Sequence, residues 1–88
     1  MFKLGACVTT PGANAAIRQA GDDPGSFLKR HQSGDWGDCS EFDKQENQDA
    51  LTKGGRIFSV YHTKKGEKIW VITEADRSST CILSPDEY

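Results

Sequence analysis

The residue types best suited to chemistry gather near the C-terminal end of the chain. Glu74, Arg77 and Thr80 follow one another at intervals of three, with Asp76 beside them. A carboxylate, a guanidinium and a hydroxyl at one end of a sheet suit acid–base work on a phosphodiester. Glu74 would move a proton and Arg77 would stabilise charge on the phosphate. The same residues also make an ordinary turn, in which Asp76 bonds its own backbone and Arg77 pairs with Glu74. Residue types alone favour the turn. Yet Ala75-Asp76-Arg77-Ser78 needs no arginine for its geometry, which keeps Asp76 and Arg77 as candidate binding residues.

A second group is His31, Asp35 and Trp36. His31 falls near the end of a helix, where the dipole favours its positive form, and it could act as an acid or base beside a glycine-rich loop. The plainer expectation is that His31 caps the helix end and Trp36 plugs the core, with its indole N–H bonded to a carbonyl. Asp35 and Trp36 remain candidates for a binding surface. His31, Asp35, Asp38 and Cys39 are close in sequence but lack a recognised ligand spacing, so no metal site and no cofactor are expected. No Walker loop, dinucleotide fingerprint or nucleophile elbow occurs.

These residues need a scaffold, and 88 residues allow one domain over residues 1–88 with one core. Hydrophobic residues make up 35% of the chain, so nearly every large apolar side chain is expected to pack. A net charge of -2 argues against a basic nucleic-acid binder, although local clustering leaves nucleic acid open. Three widely spaced cysteines, Cys7, Cys39 and Cys81, do not make a disulfide framework. They read as free thiols in a reducing compartment. No segment has the length of a membrane span and no secretory leader is apparent, so the expectation is a cytoplasmic protein without a membrane partner.

The elements follow from start and stop signals. Thr10-Pro11 opens a helix that ends at Gly21, and Asp23-Pro24 opens a second that ends at Gly34. Ser40 opens a third, which ends at Gly54-Gly55 and sets Phe42, Glu46, Ala50 and Leu51 near one weakly amphipathic face. Arg56–His62, Lys68–Glu74 and Thr80–Ser84 read as strands in meander order, and Phe2–Thr9 adds a short edge strand. Both faces of the middle strand look apolar, which places it centrally. The expected fold is α+β: a small antiparallel sheet of three to four strands, with N-terminal helices packed on one face.

Several stretches together resemble a known family. They are His31-Gln-Ser-Gly-Asp-Trp-Gly37, Asn47, Arg56-Ile-Phe-Ser-Val-Tyr61, Trp70-Val-Ile-Thr-Glu-Ala-Asp-Arg77, Thr80 and Leu83-Ser-Pro-Asp-Glu-Tyr88. The chain resembles short bacterial proteins labelled "plasmid-related protein", over nearly its whole length. Cys39 departs from the bulkier apolar residue expected there. The resemblance implies a setting, that of plasmids, integrative elements and integron cassettes, and no particular activity. A looser similarity, at the level of fold, is to the barnase, EndoU, colicin and RelE group of small ribonucleases. It implies His31, Arg56, Glu74, Arg77 and Thr80 as catalytic residues.

Two readings result. One is an accessory protein of a mobile element that binds a protein partner, such as a host defence component, a replication component or a second copy of itself. The other is a small endoribonuclease or toxin that uses the Glu74/Arg77/Thr80 hairpin.

Overall fold

Each helix begins where a short polar side chain can satisfy the first free backbone N–H groups. In the computed structural model, which describes residues 2–88, Thr10 accepts from Ala13 ahead of α1 (Pro11–Ala20). Asp23 accepts from Gly25 ahead of α2 (Pro24–Gln32), and Ser40 from Asp43 ahead of α3 (Glu41–Lys53). Pro11 and Pro24 sit in first turns, where a missing N–H costs nothing.

The strands are β1 (Ala6–Thr9), β2 (Ile57–His62), β3 (Lys68–Thr73) and β4 (Ser79–Leu83), and a 3-10 turn over Pro85–Glu87 follows. They form one sheet in the order β1-β4-β3-β2. The C-terminal meander is antiparallel as expected, and the fold is α+β. The sheet is mixed, however, because β1 runs parallel to β4. The meander leaves one side of β4 free. The chain passes β1 there and then crosses the sheet through its helices before β2 begins, which sets β1 and β4 in the same direction.

One face of the sheet carries the main core. Ala13 and Ile17 of α1 and Phe27 of α2 pack against Tyr61, Ile69, Val71 and Ile82. The alanines of α1 let that helix lie close to the strands. No described helix is long and apolar enough to cross a membrane.

The third helix does something its sequence hides. Phe42, expected to be buried, is 73% exposed, while Asn47 is 2% exposed. The Asn47 amide donates to the Phe58 carbonyl at 2.7 Å and accepts from the Phe58 N–H at 2.9 Å. It therefore takes the place of a missing neighbour strand along the outer edge of β2. One step along, Val60 donates to the Trp36 carbonyl at 3.1 Å and accepts from the Asp38 N–H at 2.7 Å. This contact requires Gly37, whose φ is +71° and whose added Cβ would lie 1.9 Å from the Val60 carbonyl oxygen. The β2 edge is sealed, which removes a site of unwanted strand pairing. Trp36 sits in a second cluster with Cys39, Ala50, Ile57 and Val60. Its indole N–H meets no acceptor among the described residues, contrary to the carbonyl bond expected of it.

Removing the Asn47 amide strands both polar groups of Phe58. Asn47→Ala is expected to lower unfolding stability by about 2–3 kcal/mol in a urea titration. A change within about 0.5 kcal/mol, the usual range for a surface substitution, would show that the edge is not held by this contact.

Candidate functional site

His31 is fully buried, as are Ser59, Thr73 and Thr80. Its Nδ1 lies 2.6 Å from the Ser59 hydroxyl and its Nε2 2.9 Å from that of Thr73. Thr73 is 2.7 Å from Thr80, and Thr80 donates to the Leu4 carbonyl at 2.7 Å. The last bond sets the direction of the others. Thr80 has one hydrogen and gives it to Leu4, so it accepts from Thr73. Thr73 therefore accepts from the Nε2–H of His31, and Nδ1 accepts from Ser59. This is a neutral imidazole with both nitrogens occupied. Burial pushes its pKa down from 6.5 to about 4. His31 is thus neither a charged helix cap nor an acid or base facing solvent, because the sheet covers it. Thr80 is withdrawn from solvent in the same way.

Arg77 has another use. It occupies a left-handed conformation with φ 61° in the turn between β3 and β4. Its guanidinium donates to the carbonyls of Gly55 at 2.6 Å, Ala50 at 3.0 Å, and Glu74 and Ala75 at 3.1 Å. The side chain ties the C-terminal end of α3 to the β3–β4 turn, where a cation also suits the helix dipole. The expected partnership with the Glu74 carboxylate does not form; Nη1 and one hydrogen of Nη2 are committed to backbone carbonyls. Asp76 accepts from the Ser78 N–H at 2.9 Å, which is the turn role expected of it. Asp35 accepts from Arg30 at 2.7 Å and from the Gly37 N–H at 3.1 Å. Its carboxyl is held below the usual range chiefly by the Arg30 bond. Asp35 and Trp36 therefore shape the loop that seals β2, and Trp36 is 5% exposed.

Glu74 and Arg56 do reach the surface, on the opposite face of the sheet. Arg56 Nε lies 3.7 Å from the Glu74 carboxylate, and its Nη1 donates to the Tyr88 hydroxyl at 2.9 Å. That hydroxyl bond is the main reason the guanidinium holds its proton above the ordinary arginine value. The five residues implied by the ribonuclease similarity thus divide between a buried chain, a helix clamp and a surface pair.

The Arg56–Glu74 pair borders the feature that sequence reasoning missed. Register places Phe58, Ile72, Cys81 and Val8 in one row across the outer face, and Val60, Trp70 and Leu83 in the next. The main core lies on the other face, while Phe58, Val60 and Trp70 belong to the second cluster with Ala50 and Leu51 of α3, and Val60, Ile72 and Leu83 are buried. The Phe58 and Trp70 rings meet edge to face at 5.1 Å, and Trp70 meets Tyr88 at 5.7 Å. Arg56, Phe58, Trp70, Ile72 and Tyr88 line an open cleft of about 260 Å³. Tyr88 is 70% exposed and Val8 53%. The signal was present in the alternation: a central strand apolar on both faces, with helices expected on only one of them.

Among the described residues, no group of three or more His, Cys, Asp or Glu side chains is arranged to hold a metal ion. No protein-family model, curated protein or solved structure matches the chain.

A neutral buried His31 makes stability depend on pH in a defined window. The unfolded chain takes up a proton near pH 6.5 and the folded one only near 4, so stability is full above 6.5 and falls as pH drops toward 4. The shift corresponds to about 3 kcal/mol. Urea midpoints measured between about pH 7.5 and 4.5, with His62→Gln as background to remove the other histidine, should fall accordingly. A flat profile would contradict the buried neutral ring.

Proposed function

We propose that this protein is a non-catalytic interaction module that docks a protein partner on the outer face of its sheet. The observation behind this reading is the open cleft between Phe58, Trp70, Ile72 and Tyr88, on the face opposite the main core. Aromatic side chains around an apolar depression, with a polar rim, are the usual anatomy of a binding hot spot. A partner would insert an apolar side chain among the rings and meet Arg56 and Glu74 at the rim. The setting implied by the resemblance, an accessory protein of a mobile genetic element acting in the cytoplasm, is compatible with this module and with its three free thiols.

Two observations weigh against the ribonuclease reading. His31 and Thr80 are fully buried, and Arg77 is committed to backbone carbonyls. An open aromatic sheet face can also stack single-stranded nucleic acid. Here the face carries Arg56 beside Glu74, and the net charge of -2 offers no phosphate-tracking surplus.

The test compares the tagged parent with Tyr88→Ala, Trp70→Ala and the control Phe42→Ser in pull-downs from the native host. A partner retained by the parent and by Phe42→Ser should be weakened by Tyr88→Ala by roughly 30-fold or more, the loss typical of a hot spot. Equal retention by all variants would remove the face from consideration. RNA cleavage by the purified parent that is lost in Glu74→Gln would overturn the reading altogether.

A further inference from the structure

The two edges of the sheet are treated in opposite ways. Along β2, Asn47, Trp36 and Asp38 occupy the outward backbone groups of Phe58 and Val60. Along β1, all four residues are exposed. Ala6 and Thr10 donate to Ser78 and Ile82 of the β4 side, and the alternation gives Val8 to β4 as well. Cys7 and Thr9 therefore point their N–H and C=O groups away from the sheet. Edge strands are usually blunted by lysine, proline, a bulge or a covering element. Ala6-Cys7-Val8-Thr9 carries no charge, no proline and no bulge. On the inner side α1 packs over β4 and leaves β1 uncovered.

We infer that β1 is a self-association edge, which pairs antiparallel with β1 of a second copy to make one continuous sheet. The register follows from the ends of the strand. Gly5 leaves the extended conformation at φ +66° and Pro11 has no N–H, so usable outward groups lie between them. A two-fold axis through Val8 uses both outward residues: Cys7 pairs with Thr9 of the other copy, and Thr9 with its Cys7, each exchanging both backbone bonds. An axis through Cys7 would set Thr9 against the left-handed Gly5, and one through Thr9 would set Cys7 against Pro11. At the Val8 axis the two valines meet directly on the outer face, where each is now 53% exposed. The edge matches itself in donors, acceptors and lack of charge. The reading is independent of the aromatic cleft, which lies toward β2 and β3.

The contact is small, so it belongs to the weak, concentration-dependent class. Sedimentation equilibrium of the parent should show average mass rising toward twice the monomer between about 10 µM and 1 mM, as for transient interfaces. A mass that stays monomeric over that range overturns the proposal. Val8→Lys, at a half-exposed site, should abolish the rise without lowering the melt, because it sets two ammonium groups face to face. Tyr88→Ala should leave the rise intact. Loss of association in Tyr88→Ala but not in Val8→Lys would mean that copies meet through the aromatic face, and would overturn the assignment.

Cross-linking tests the register separately. In a Cys7→Ser background, Val8→Cys places two thiols across the axis at a Cα separation of about 4.5 Å, within disulfide range. Ala6→Cys leaves its pair about 13 Å apart, too far to bridge. Mild oxidation should give covalent dimer at least about 10-fold faster at position 8 than at position 6, since only position 8 satisfies disulfide geometry. Equal rates at the two positions overturn the register.

Discussion

The fold depends on one buried line of hydrogen bonds that begins at Ser59 and passes through His31, Thr73 and Thr80 to the Leu4 carbonyl. It joins α2 to β2, β3 and β4 and to the segment leading into β1. Each hydroxyl has one hydrogen to give, so the direction of every bond follows from the last. Protonation of Nδ1 would reverse the bond at Ser59, so that the hydroxyl accepts and its own hydrogen loses the Nδ1 acceptor, and it would place a charge in a buried site. A buried polar group left without its partner costs about 1–3 kcal/mol, so this chain specifies one arrangement of helix and strands and tolerates few others. An apolar residue at position 31 could fill the space but would leave Ser59 without its acceptor and Thr73 without its donor.

Polar side chains also finish the secondary structure where backbone runs out. Asn47 stands in for a strand along β2, and Arg77 stands in for water at the end of α3. Both contacts join residues far apart in sequence, so neither leaves a local pattern. The helix caps at Thr10, Asp23 and Ser40 were legible because a cap and the N–H that donates to it lie within one turn. The meander was legible from alternation, and the depth of Trp36 from its flanking glycines. The buried face of α3 was not legible, because the residue that matters there is an asparagine and the periodicity of Phe42 pointed elsewhere. The parallel pairing of β1 was equally hidden, since strand direction depends on where the helices return the chain.

The candidate site shows the same division. Glu74, Arg77 and Thr80 are neighbours in sequence and lie at one end of the sheet. Strand alternation sends Glu74 to the outer face and Thr80 inward, while the left-handed backbone at Arg77 turns its side chain toward α3. Proximity along the chain does not make the side chains converge. In a strand, the parity of a position decides which face it serves. That rule, applied to Phe58, Trp70 and Ile72, places three large apolar residues together on the face opposite the main core.

That placement is hard to explain by stability alone. Only 35% of the residues are hydrophobic, and a domain of this size has little apolar area to spare. Burial contributes roughly 25 cal/mol for each Å² removed from water, so an aromatic ring left half in solvent forgoes much of what it could add to folding. Helix α1 shows the opposite economy, filling its buried stripe with alanine and a single isoleucine. Trp36, Tyr61 and Phe27 fill the interior, whereas Phe58 and Trp70 stay half-buried and Tyr88 exposed around the cleft. The 3-10 turn brings Tyr88 back over Trp70 and to Arg56, which gives the cleft a third wall without closing it.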